Sequence, residues 1–223
     1  MKNSLLIALV LGAGVAAGAF GGRIPIPGGI EDAVQGPHAA WYASRGAGIA
    51  AYLCIWASLA GGLLMSSAWF DGLVGRARLL AIHQTASIAG VALGLLHGLI
   101  LIPDGWTHFG LSDILIPGAS YYKTSLSALG TLTLYLSAVV SASFWLRPMI
   151  GVRMWRLMHY SSAVVYAAAL WHGLKLGTDS REAWGMSMYL GTSLAIVAFL
   201  VTRFTYARPA RQPAKPREVS TAV

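Results

Sequence analysis

The stretch RMWRLMHYSSAVVYAAALWHGLK, residues 153–175, is an apolar run carrying two histidines, His159 and His172, thirteen residues apart. A second apolar run, Leu79 to Pro103, carries His83 and His97, fourteen residues apart. Four of the six histidines thus fall in two hydrophobic segments, one pair in each. A helix rises about 1.5 Å per residue, so each pair spans roughly 20 Å. That puts one histidine near each face of an apolar layer about 30 Å thick. Two such helices, facing one another, offer ligand pairs at two depths.

The rest of the composition agrees with a membrane. Of 223 residues, 56% are hydrophobic and 11% charged, against about 25% charged in an ordinary soluble domain. The net charge of +8 does not point to nucleic acid, because the basic residues lie between and after apolar runs. That is the pattern that orients membrane helices. The single cysteine, Cys54, can form no disulfide within the chain and cannot hold an iron–sulfur cluster alone. It reads as packing.

Taken in order, residues 4–20 are uncharged and rich in Leu, Ala and Gly. They fit either a cleaved signal peptide or a short first membrane helix, and the weak cleavage pattern favours the helix. A polar loop with His38 fills residues 21–45, and a second span runs from Gly46 to Phe70. Asp71 to Arg78 is a basic turn before the third span, which holds His83 and His97. The loop to Lys123 carries His108 and several aromatics, and reads as a partly ordered cap. Thr124 to Leu146 is the fourth span, ended by Arg147-Pro148; the fifth holds His159 and His172. Ala183 to Thr202 is the sixth. The expected architecture is all-α: residues 1–45 as first helix and outer loop, 46–204 as the bundle, and 205–223 as a disordered basic tail.

Lys and Arg then distribute unevenly. Eleven fall on one side (Lys2, the 76–78 and 147–156 turns, and everything from Arg203), and five on the other. The bias puts both termini in the cytoplasm and makes the chain integral to a plasma membrane, the bacterial inner membrane. Spans three and five then run in parallel. His83 shares the cytoplasmic depth with His159, and His97 the outer depth with His172.

An imidazole in lipid is costly unless it is used, and it is a good ligand for iron. Two stacked haems between spans three and five account for four histidines at two matched depths. Taken one at a time, a histidine packed against a carbonyl is an equally good reading. A proton relay would recruit Asp or Glu inside the spans, and none is there. Zinc would need the four to converge on one ion. One feature of the spacing is awkward. Fourteen residues return His97 to within about 40° of His83, whereas thirteen leave His159 and His172 about 140° apart on an ideal helix. Either the haems approach the fifth helix from different sides, or that helix is distorted.

These residues resemble a known family. The 14-spacing, the 13-spacing and the stretch WRLMHYSSAVVYAAALWHGL look like the ferric reductase-like transmembrane domain. Its members include NADPH oxidases, ferric-chelate reductases and the haem-bearing subunit of a bacterial methionine sulfoxide reductase system. SRGAGIAAYL from Ser44 and LSDILIPGASYYK from Leu111 resemble the start of its second span and a loop between spans. The resemblance implies six membrane helices, with His83 and His159, and His97 and His172, as ligands of two b-type haems. It implies that Arg45 meets a haem propionate on the outer side, although an interfacial cation at a helix end fits Arg45 as well. No flavin or nucleotide domain follows the last span, and no glycine-rich phosphate loop follows a strand. A flavin is therefore expected on a separate partner.

The expected function is transmembrane electron transfer, as an oxidoreductase subunit of the cytochrome b kind. Electrons would pass from a cytoplasmic flavoprotein or a quinol, through two bis-histidine haems, to an external acceptor. With both axial positions filled, chemistry at either iron is outer-sphere. The alternative class is a haem-free transporter or sensory subunit, although the internal repeats and mid-membrane charges of many transporters are missing here.

Overall fold

The computed structural model describes residue 36 and residues 38–67, 75–105 and 107–206. The expected first span at residues 4–20 and the tail from residue 207 lie outside the described residues. The regular elements are all helices. They are α1 (Ala39–Ser66), α2 (Arg76–Leu99), the short α3 (Leu111–Leu115), α4 (Thr124–Tyr160), α5 (Ser162–Leu176), a 3₁₀ turn (Thr178–Arg181) and α6 (Ala183–Thr205).

Among the described residues, four helical stretches are long and apolar enough to cross a bilayer: α1, α2, the run Thr124–Leu176, and α6. At about 1.5 Å per residue, α1, α2 and α6 measure roughly 35–42 Å, enough for a core of about 30 Å. The run from Thr124 has 53 residues, about 80 Å if straight, and it is not straight. Gly151 adopts φ 77° and ψ 161°, a conformation open essentially to glycine alone. The chain folds back there, so that His172 hydrogen-bonds the carbonyl of Leu126 at the far end of α4. The run is a hairpin of two antiparallel passes.

This corrects one boundary read from the sequence. Pro148 does not end the fourth span, because helix continues through it to Gly151. A proline in a membrane helix is tolerated when neighbours satisfy the freed carbonyl; a positive φ is what turns the chain. A second boundary also moves. Helix α1 begins at Ala39, so the stretch 39–45, expected in a loop, is helical.

The packing is that of a membrane bundle. Serines and threonines face inward (Ser44, Ser127, Thr131, Ser137, Ser143 and Thr192 are buried), while Leu190, Leu194, Val197, Val201 and Phe204 of α6 are exposed. Lipid tails are as apolar as leucine, so small and hydroxyl-bearing residues gain most from helix contact. The densest core joins α1, α5 and α6 around Tyr52, Tyr166, Tyr189, Ile196 and Phe199. There Tyr52 shares hydrogen bonds with Thr192 at 2.6 Å and Tyr166 at 3.3 Å. Opposite it, Ser87 of α2 and Ser141 of α4 are linked at 2.6 Å.

Candidate functional site: two histidine pairs

The fold brings the four histidines together two by two. The rings of His83 and His159 lie 5.8 Å apart between centroids, with planes at 72°. Those of His97 and His172 lie 6.3 Å apart, with planes at 86°. Metal–imidazole bonds are about 2 Å long, so two rings on opposite sides of one ion hold their centroids roughly 6 Å apart. Both pairs have that separation. Among the described residues no group of three or more His, Cys, Asp and Glu gathers; the arrangement is pairwise.

Three of the four rings are held in the same way. Nδ1 of His97 donates to the Ser44 carbonyl at 2.7 Å, Nδ1 of His83 to the Ser58 carbonyl at 2.7 Å, and Nδ1 of His172 to the Leu126 carbonyl at 2.8 Å. A carbonyl only accepts, so Nδ1 carries the hydrogen and Nε2 presents its lone pair. Metal-binding histidines are tied down in this manner, which fixes both tautomer and ring orientation. Four residues beyond each carbonyl stands a glycine: Gly48, Gly62 and Gly130. A Cβ at Gly130 would lie 2.7 Å from the His172 ring, and one at Gly48 would lie 2.9 Å from the His97 ring. At Gly62 the distance to the His83 ring is 3.6 Å, ordinary contact.

The geometry explains the spacing. In an α-helix the carbonyl of residue i points at residue i+4, so the side chain at i+4 guards the approach to that carbonyl. Glycine there lets a ring slide in from the neighbouring helix. The two serines add a return bond: Ser44 Oγ donates to the His97 carbonyl at 2.8 Å, and Ser58 Oγ to the His83 carbonyl at 3.2 Å. Ser44 and Ser58 are fourteen residues apart, as are His83 and His97. The two antiparallel helices therefore meet in register at both depths.

His159 is held differently. It stacks on Trp155, one turn earlier in α4, at 5.1 Å and 22°. The Arg147 guanidinium sits over the other ring of that stack, 4.9 Å from the Trp155 centroid. The indole Nε1 of Trp155 is buried with no hydrogen-bond partner among the described residues. Between His159 and His172 the helix tightens at Ser161, whose ψ is −7° and whose N–H bonds the Met158 carbonyl at 3.2 Å in 3₁₀ fashion. Of the two ways to accommodate a thirteen-residue spacing, distortion of the helix is thus present.

Around the His97–His172 pair lies a cleft with about 1470 Å³ of space not filled by protein atoms, part of it open to the surroundings. It is lined mainly by apolar side chains and small residues of α1, α2, α4 and α5, with Ser127, Thr131 and Ser137 among the polar ones. Arg45 stands at its rim. Its Nε donates to Asp179 at 2.9 Å, its Nη2 engages the other carboxylate oxygen, and its guanidinium lies 4.5 Å over Trp41. Asp179 is 7% exposed and Arg45 24%, so the arginine is matched by a buried counter-charge. Arg45 and Asp179 are 134 positions apart, and sequence reading had no means to pair them.

The residues fit haem on several counts. Two pairs of imidazoles face each other at the right separation, three of the four with Nδ1 fixed by a carbonyl. Glycines leave room beside the rings, and a large apolar cleft adjoins the His97–His172 pair. The sequence reading missed Ser44, Ser58 and the three seat glycines. The signal was there: S-x-x-x-G occurs at 44–48 and again at 58–62, repeating with the same fourteen-residue period as the histidines. The class that fold and site define is a helical membrane protein with two histidine pairs at two depths. No family model, no curated protein and no solved structure matches the chain.

Proposed function

We propose that the protein carries electrons across a membrane through two b-type haems, one held by His83 and His159 and the other by His97 and His172. The single observation that carries this reading is the meeting of four imidazoles as two pairs, 5.8 and 6.3 Å between centroids, about 20 Å of helix apart. Haem iron supplies one-electron chemistry by cycling between its ferric and ferrous forms. The chain's own residues do the rest. Carbonyls of Ser44, Ser58 and Leu126 hold three rings in the metal-binding tautomer. The apolar walls exclude water, which lowers the local dielectric and tunes the potential.

In this reading the protein is a bundle of six membrane helices, with residues 4–20 as the first and the ferric reductase-like transmembrane domain as its kind. The termini face the cytoplasm in this reading, which the charge bias supports. Electrons enter on that side from a separate flavoprotein or a quinol and leave to an external acceptor. Arg45 and Asp179 border the outer site, where the unused guanidinium N–H groups can bind a propionate while Asp179 balances the charge.

Haem content tests the proposal. A pyridine haemochrome assay on protein purified in detergent should give close to two haems per chain. A ratio near zero ends the reading, and a ratio of one means that a pair is unused. A tag after Val223 should resist external protease in intact cells; cleavage would reverse the entry side.

A further inference from the structure

Three of the four histidines are anchored to a helix other than their own: His97 and His83 to α1, His172 to the start of α4. His159 is the exception. What holds its ring is Trp155, on the same helix one turn back. The segment carrying both, residues 152–160, is bounded by a sharp turn at Gly151 and by a tightened helical turn at Ser161, which keeps right-handed helical angles. Gly151 has φ 77° and ψ 161°, and Ser161 has ψ −7°. A rotation of this segment about its two ends would carry His159 and Trp155 together, with no hydrogen bond from the His159 ring to another helix, among the described residues, to oppose it. The other three rings cannot leave without giving up a hydrogen bond of 2.7–2.8 Å, and His97 and His172 are also packed against glycine seats that fit them closely.

We propose that His159 is a releasable ligand, so that the cytoplasmic-side iron, alone of the two, exchanges it for a small neutral exogenous ligand. The exchange is a substitution without change of oxidation state: the iron–Nε2 bond to His159 breaks and a bond from ferrous iron to the incoming ligand forms. His83, clasped to Ser58 by two hydrogen bonds, stays as the opposite ligand. The role of Ser44-Gly48, Ser58-Gly62 and Leu126-Gly130 is then one of positioning. They make three ligands permanent and leave the fourth adjustable. This rests on the two-haem reading and goes beyond it, because filled axial positions alone would make both irons closed.

Carbon monoxide is the probe. Purified protein, its haem first counted by pyridine haemochrome, is reduced with dithionite and titrated with CO. About half of the haem should form the adduct, because one iron of two opens. His159→Ala should give an adduct with the spectrum of the parent's, since His159 is absent from it. It should also form at lower CO concentration, because no fraction of the protein is held closed. His83→Ala should lose or alter that adduct. Gly130→Ala, and independently Gly48→Ala, should raise the CO-reactive fraction from about half toward all of the haem by unseating the outer rings. Full haem content with no CO-reactive fraction, or with both haems reactive, overturns the proposal. So does an adduct that survives His83→Ala unchanged but is altered by His159→Ala, and so does a CO-reactive fraction that stays at half in both glycine variants. Absence of haem, seen before CO is added, overturns the electron-transfer reading itself and this one with it.

Discussion

The His97–His172 and His83–His159 pairs, outer and inner in the proposed topology, are built from the same residue types at nearly the same separation, yet the protein secures them unequally. At the outer pair both rings donate to a backbone carbonyl on a neighbouring pass, and both lie against a glycine whose Cβ would crowd them below 3 Å. At the inner pair only His83 has a carbonyl, its glycine is looser at 3.6 Å, and His159 leans on its own helix. The lesson is that ligand identity and ligand constraint are separate properties. Two pairs of the same side chains differ in how firmly they are held, and the difference resides in the carbonyls and glycines around them.

The largest effects test the pairing itself. His97→Ala and His172→Ala should each remove or convert one and the same haem, and His83→Ala and His159→Ala the other, since losing one of two axial ligands leaves a weakly held iron. Haem content should fall from about two toward about one per chain in His83→Ala, His97→Ala and His172→Ala, with redox titration showing which component is gone, whereas His159→Ala should keep its haem in a converted, CO-reactive form. A shared phenotype between His83→Ala and His172→Ala would break the depth assignment.

Next come the backbone positions. Gly130→Ala and Gly48→Ala should each lower the thermal midpoint in detergent by the equivalent of about 1–3 kcal/mol, the usual cost of overpacking. Gly62→Ala should cost distinctly less, because a Cβ there makes ordinary contact. Equal losses at all three would remove the difference between the pairs. Gly151→Ala belongs in the same range, on the order of 1–3 kcal/mol for a side chain forced into that conformation, and its effect should concentrate on the inner haem.

The buried ion pair follows. Asp179→Asn keeps the shape but leaves Arg45 without its counter-charge. A loss of about 1.5–3 kcal/mol is expected from the charge-assisted hydrogen bonds, with the outer haem's potential shifted upward by the unbalanced positive charge and the inner one little changed. The smallest effects come from the serines. Ser44→Ala and Ser58→Ala each delete a hydroxyl that returns a bond to a histidine carbonyl, worth about 1 kcal/mol. Ser44 should matter more, its bond being 2.8 Å against 3.2 Å. The reverse order would show that hydrogen-bond length does not track constraint here.

The sequence made some of this readable and hid the rest for definite reasons. The membrane class follows from uncharged runs, which exist because charge in lipid is costly. The meeting of His83 with His159, and of His97 with His172, follows from spacings of fourteen and thirteen and from parallel direction, both properties of the chain itself. The turn at Gly151 was assigned to Pro148 instead. Proline's effect on a helix is a property of the residue, whereas glycine's depends on the φ it is given. The Arg45–Asp179 pair was invisible because only the fold makes positions 134 apart into neighbours. The serine–glycine repeat was visible as a pattern and passed over, because neither residue carries chemistry of its own.

Helix α1 holds none of the four histidines, yet it carries the carbonyls that seat two of them, and it precedes all four in the chain. Proteins are made from the N-terminus at about 5–20 residues per second, so Ser44, Gly48, Ser58 and Gly62 leave the ribosome ahead of His83 and His97. When α2 arrives, its two imidazoles meet a template already cut to their fourteen-residue spacing. His159 and His172 follow some sixty to ninety residues later, to meet two rings whose Nδ1 atoms are engaged by α1 carbonyls. Assembly thus has an order written into the chain: the helix without histidines first, then His83 and His97, then His159, and His172 last.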